Sequence, residues 1–298
     1  MSAVVVDLPP PRPSPTLSLQ SLADFAAYSR RRRREAARRR ALKLLKVLLL
    51  VLLIGLTKLL VHHLGLEPIQ VNPLFTSLVA STVFLLGFLL NGVLSDFKES
   101  ERLPGELATG LEVLSLEIRA IPAHNPAAVV DRPLMAVASF ADALLAWLLE
   151  RLSTRELLLQ FHQCHAATVE AAVLLQGNAT LQARLMAEMG GLLKLINRID
   201  TIRQTSFVPL VYWLAYASTA LLCTGLVFMA TTTILEAIFF VFVIAFLLIF
   251  LIRLIADIDN PFGFADPNSA EDVALDVLVE AMGRLVAIRD AAQAGVRA

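Results

Sequence analysis

Eight residues between Ser77 and Arg102 offer the most specific chemistry in this sequence. At about 100° per residue, Ser77, Ser81, Phe84, Phe88, Asn91 and Ser95 fall within about 40° of one helical meridian, and Glu99 and Arg102 continue the line. One face therefore reads small polar, two stacked aromatics, small polar, then charge. Serine and asparagine supply donors and acceptors that can line a wetted wall, and a ring of phenyl groups between them can close it by dewetting. The same residue types also serve as a packing seam in lipid, where Ser, Asn and Gly let helices approach. The first arrangement needs several copies around an axis, because one helix encloses no passage. The second needs only a neighbouring helix, and would fit a non-conducting four-span scaffold or sensor.

The element that must carry this stripe is a membrane span. Asn72-Pro73 opens it, with proline at a position whose N–H has no helical partner, and the chain stays apolar to Leu94, long enough to cross a hydrocarbon core of about 30 Å. A hydrophobic content of 57 % and a mean hydropathy of +0.68 exceed what a soluble chain of this length uses. An integral, multi-pass membrane protein is the expectation, in a plasma or bacterial inner membrane, with an organelle membrane as the alternative. The formal charge is zero, yet eight arginines crowd Arg30 to Arg40 while the short links between spans are nearly free of lysine and arginine. That asymmetry sets the cluster in the cytoplasm, beside an anionic inner leaflet, and makes nucleic acid an unexpected partner. Two cysteines, Cys164 and Cys223, form no disulfide framework.

The fold class expected is all-α: four transmembrane helices plus a cytoplasmic helical block. Residues 1–41 read as a Pro/Arg-rich cytoplasmic arm with a short amphipathic helix over Leu17 to Tyr28; 42–95 hold spans one and two; 96–205 form the block; 206–256 hold spans three and four; 257–298 are a turn and a C-terminal helix. Lys58 lies deep in the first span, free to snorkel or to face the bundle. In the block, Pro104 is expected to start a helix to Ile121, residues 122–133 a loop, Leu134 to Leu152 a helix, and Thr154 to cap another to Gln176 before Gly177-Asn178. Thr233-x-x-Glu236 has the form of a capping box at the head of the fourth span. The final helix is expected over Ser269 to Ala292. Both termini then lie in the cytoplasm.

Two constellations invite a metal, and none invites an enzyme. His162 and His165 share a helix face beside Cys164, but zinc requires a third and fourth ligand that no second cluster supplies. Glu271, Asp272 and Asp266 follow the fourth span and offer oxygen ligands for a hard cation, or equally are helix N-terminal charges stabilised by the dipole. A Ser/His/Asp set with an elbow, a Gly-rich phosphate loop and a His/Glu metal motif are all lacking, so the chain is not expected to be an enzyme.

Three motifs resemble the bestrophin family of ion channels, including its prokaryotic branch. Val208-Pro209-Leu210-Val211-Tyr212 is similar to the family's entry to the third span; Asn260-Pro261-Phe262-Gly263 matches its signature turn after the fourth; Leu86-Gly87-Phe88 resembles its pore-helix tripeptide. The likeness covers about a third of the chain. It implies a homopentamer with one axial pore lined by the second span, and a neck at i, i+4 and i+8 that maps onto Ala80, Phe84 and Phe88. Ala80 departs from the bulky residue the family carries there, which implies two tight rings instead of three. Serine and asparagine then form the lining at Ser77, Ser81, Asn91 and Ser95, and Glu99 and Arg102 the vestibule. The resemblance implies small inorganic ions as cargo, taken first as anions such as chloride, with monovalent cations as the alternative. Animal members hold Ca²⁺ with an acidic run after the turn. Here Ala265 and Asn268 interrupt it, so no Ca²⁺ cofactor is expected and Asn260 to Gly263 read as a structural turn.

Overall fold

The computed structural model describes residues 19–70, 72–175, 177–204, 209–231, 233–264 and 271–296. Among them the chain forms helices only: α1 (Leu19–His63), α2 (Pro73–His124), α3 (Asp131–Leu148), α4 (Thr154–Val173), α5 (Ala179–Gln204), α6 (Pro209–Phe228), α7 (Ile234–Ile258) and α8 (Asp276–Val296). Parts of α1 and α2, and α6 and α7, are long and apolar enough to cross a membrane. Val208, Asp266, Ala265 and Asn268 lie outside the described residues, as does the proline-rich start.

The two longest helices differ from expectation in the same direction. Leu17 to Tyr28 does not form a separate helix; from Leu19 it is one piece with the first span. Alanine, arginine and leucine fill the stretch between, and all three are strong helix formers with no breaker among them. Likewise Pro104 does not start a helix but sits inside α2, which runs 52 residues, about 78 Å at 1.5 Å per residue. Proline removes the bond to the Ser100 carbonyl. Burial of Leu103, Pro104 and Leu107 offsets that loss, and the Ser100 hydroxyl donates to the Asp96 carbonyl at 2.7 Å, satisfying its own polar group inside. The pore candidate and the central strut of the block are thus one rigid rod.

Around the lower part of α2 the block closes with α3, α4, α5 and α8. Leu107, Leu111, Leu114, Ile118 and Ile121 repeat at helical spacing and pack on Phe140, Leu144, Trp147, Leu157, Leu192 and Leu278, all buried. Leu22 and Phe25 of α1 join the same core. The span bundle has a thinner one, in which Leu86, Leu89 and Val93 of α2 meet Ala215, Leu222, Leu248 and Ile252. Two caps and one helix start differ from the sequence reading. Ser153, not Thr154, is the N-cap of α4, in a reciprocal capping box with Glu156; the Thr154 hydroxyl instead donates to Asp200 at 2.7 Å. Thr233 makes no side-chain cap bond, so the expected Thr233/Glu236 box does not form. The last helix begins at Asp276, because residues 271–275 form no regular secondary structure and the Val273 amide is taken by the Pro261 carbonyl.

Candidate functional site

The upper half of α2 is two-faced. Leu86 and Leu89 are fully buried against α6 and α7, whereas Phe84 and Phe88, on the opposite side of the helix, are 76 % and 63 % exposed. Ser77, Ala80, Ser81, Asn91 and Ser95 lie on the same outward face and are exposed too. The Ser77 hydroxyl donates back to the Pro73 carbonyl at 2.8 Å, which leaves its oxygen able to accept from outside. The phenyl rings are therefore not wedged within the protomer's own bundle.

Below the rings the charges are placed differently from the sequence reading. Glu99 does not simply face Arg102 across a vestibule. Arg198 of α5 takes its carboxylate in a two-pronged grip, Nε donating to Oε1 at 2.6 Å and a second nitrogen to Oε2. That guanidinium, with Arg102 adding to it, holds the Glu99 carboxyl below the usual range. Asp96 in turn acts on Arg198. Two carboxylates and two guanidiniums thus share one patch, and their charges balance. Arg198 escaped the sequence reading because it lies 99 residues away, on a helix whose own pattern carries no ion-pair signal.

The turn after α7 is structural in its contacts. Phe262 is buried in the block's core, and the Asn260 amide lies where a side chain on Gly263 would go, 2.8 Å from an ideal Cβ. The Val273 amide donates to the Pro261 carbonyl at 3.0 Å, closing the turn. Beside it, a cavity of about 430 Å³ is lined by Arg40, Glu101, Glu271 and Asp272. Arg40 reaches Glu271 at 2.6 Å, and Lys43 pairs with Asp257. Basic side chains of α1 therefore already answer two of the carboxylates around the turn. Burial pushes the Cys164 thiol up to about 12, so it stays protonated. His162 and His165 point outward beside the Phe161 ring, and no three metal-ligating side chains converge among the described residues.

No family model and no curated relative matches the sequence. Solved structures do. A variant of a bacterial bestrophin homologue from Klebsiella pneumoniae aligns with a TM-score of 0.65 at 17 % identity, over 83 % of this chain and 99 % of its own. A second structure of a bacterial bestrophin homologue from Klebsiella pneumoniae aligns at 0.60 and 17 %, over 84 % and 98 %. The fold is that of the bacterial bestrophin homologues. A crystal structure described only as a membrane protein aligns at 0.64 and 15 %, over 83 % and 98 %. Nearly the whole of each neighbour is matched, so the bestrophin homologue fold includes both the four spans and the helical block, and the chain is an integral membrane protein with that architecture.

Proposed function

We propose that this chain is a bestrophin-like ion channel, a homopentamer that passes small monovalent ions along one axial pore walled by α2 from each subunit. Phe84 and Phe88 form the neck, Ala80 completes the series as a wider third ring, and Ser77, Ser81, Asn91 and Ser95 form the wetted lining. The observation that carries this reading is the outward placement of two phenyl rings in line with small polar side chains, on a chain with a bestrophin homologue fold. The termini and the block are cytoplasmic, following the arginine cluster. No catalytic step is assigned to the chain.

The neck closes by excluding water, which disfavours ions of both signs. Selectivity then rests on the lining and on the patch of Asp96, Glu99, Arg102 and Arg198. Ser and Asn hydroxyls and amides can donate to chloride, the first reading. Cations, the alternative reading, are favoured by the exposed Glu106 one turn below Arg102. No bound Ca²⁺ is required, because Arg40 and Lys43 supply positive charge at the turn.

Mass measurement of the detergent-purified particle, followed by planar-bilayer recording in a salt gradient, tests the reading. A five-copy particle with a current is expected, and the sign of the reversal potential assigns the ion. A particle of one or two copies excludes the axial pore.

A further inference from the structure

The link between α1 and α2 is anchored from three directions. Lys58 is completely buried, and its Nζ donates to Glu67 Oε1 at 2.6 Å and to the Met229 carbonyl. It therefore faces the bundle and does not snorkel. His62 Nδ1 lies 2.9 Å from the same Glu67 oxygen. The link also pairs with the end of α6 as a short strap: the Ile69 amide donates to the Phe228 carbonyl at 3.3 Å, and the Ala230 amide to the Ile69 carbonyl at 2.6 Å. Three residues later the strap becomes α2. Asn72 caps it by accepting from the Phe75 amide at 2.9 Å, and the Phe75 ring fills a notch at Gly225 of α6, where a Cβ would lie 2.9 Å away.

We propose that Lys58, Glu67 and the Met229 carbonyl form a clasp that positions the outer mouth of α2, and that protons arriving from the outer solution release it. The inference rests on the reading of α2 as the pore wall and of the link as external. A proton taken up on the Glu67 carboxylate gives a neutral acid and leaves the Lys58 ammonium buried with only a carbonyl partner. A buried cation stripped of its counter-ion is strongly unfavourable, so the strap loosens and the end of α2 loses its anchor.

The groups that set this response can be named. Lys58 and His62 face Glu67 from α1, with His63 next along the helix; α6 contributes the Met229 carbonyl; α7 carries Glu236 in its first turn. Lys58, ahead of His62, holds the Glu67 carboxyl below its ordinary 4.5. A depressed carboxyl stabilises the clasped form at every pH above its unfolded value, and that contribution is lost as pH falls through the lowered value. The clasp therefore holds through the neutral range. It opens only below 4.5.

Hydrogen exchange of the full-length protein in lipid reads the clasp without reference to conduction. Glu67→Gln is expected to speed exchange of the Ile69 and Ala230 amides by about tenfold or more while the block stays unchanged. Lys58→Met with Glu67→Gln, which buries no charge, is expected to return them to within about twofold. In wild type, exchange corrected for intrinsic rate should rise at these amides between pH 5 and pH 3, a contrast that needs no substitution. Current should respond to the same acidification from the outer side only, and the double variant should lose that response. Unchanged exchange in Glu67→Gln and in wild type at pH 3, or an equal rise throughout the block, overturns the clasp. A wild-type protein that passes no current overturns the pore reading and leaves the exchange result standing.

Discussion

Two aromatic faces look outward from the span bundle, and they differ in what lies between the rings. On α7 the exposed large residues are Leu235, Ile238, Phe239, Phe240, Phe242, Val243 and Leu247, an apolar surface with Glu236 at the helix head and Arg253 near its foot. On α2 the exposed Phe84 and Phe88 are bracketed by Ser77 and Ser81 above and Asn91 and Ser95 below. Lipid tails can solvate an apolar face of the first kind completely. They cannot solvate the second, because a serine hydroxyl can turn back onto its own helix, as Ser77 does, but an asparagine amide has more donors and acceptors than one helix can answer. Exposure of a phenyl ring is therefore uninformative alone, and the polar residues in register with it decide what it faces.

The largest expected effect separates the two faces directly. Replacing Phe84 and Phe88 together with Ala should widen and wet the waist and raise single-channel current severalfold, whereas Phe239→Ala with Phe240→Ala should leave current unchanged. Equal responses would break the contrast. Introducing arginine sharpens it: Val243→Arg on the lipid face should cost about 3 kcal/mol of insertion free energy and cut the yield of membrane-inserted protein. Ser81→Arg, facing water in the assembly, should insert normally and shift the reversal potential towards anions. Loss of insertion for Ser81→Arg would put that face in lipid.

Periodicity alone revealed this stripe, because residues three and four apart on a helix share a face whatever surrounds it. The four spans, the all-helical block and the turn at Asn260 to Gly263 were legible for similar local reasons: apolar length, absence of strand alternation, and the Pro/Gly pair. What stayed hidden depended on distant partners. Nothing near Pro104 in sequence says that Leu107 and Leu111 will be buried on both flanks, so a proline that usually starts a helix lies within one. Ser153 and Thr154 are equally good caps by composition, and Trp147 and Asp200 draw the Thr154 hydroxyl away. Lys58 had two open fates until the position of Glu67 and the end of α6 chose one.

A smaller effect concerns the charged end of the α2 face. Arg198→Gln should let the Glu99 carboxyl rise back towards its ordinary value. Because the pair is exposed, stability should fall by about 1 kcal/mol or less at neutral pH. The sign follows from the depressed carboxyl: the contribution is present above its unfolded value and vanishes as pH falls through the lowered one. Chemical denaturation at pH 7 and pH 3 should therefore separate variant from wild type at the first pH and narrow the gap at the second. A shift in reversal potential in the same variant, towards cations, would show that this patch sees the permeating ion. No such shift is expected from substitutions at Phe242.

The smallest effect should come from calcium. A metal at the turn after α7 would have to displace Arg40 from Glu271 and Lys43 from Asp257, exchanging tethered cations for a free one. A tethered cation loses little freedom on pairing, while a bound ion must be drawn from solution and stripped of water. Chelation should therefore leave the current of the wild-type protein unchanged. Arg40→Ala makes the argument exacting, since it vacates Glu271 beside Asp272 without touching the α2 face. If added Ca²⁺ then restores the thermal stability lost in Arg40→Ala, the guanidinium is acting in place of a metal. If wild-type current already collapses with chelator, gating resides at the turn, and the contrast between the two aromatic faces no longer accounts for it.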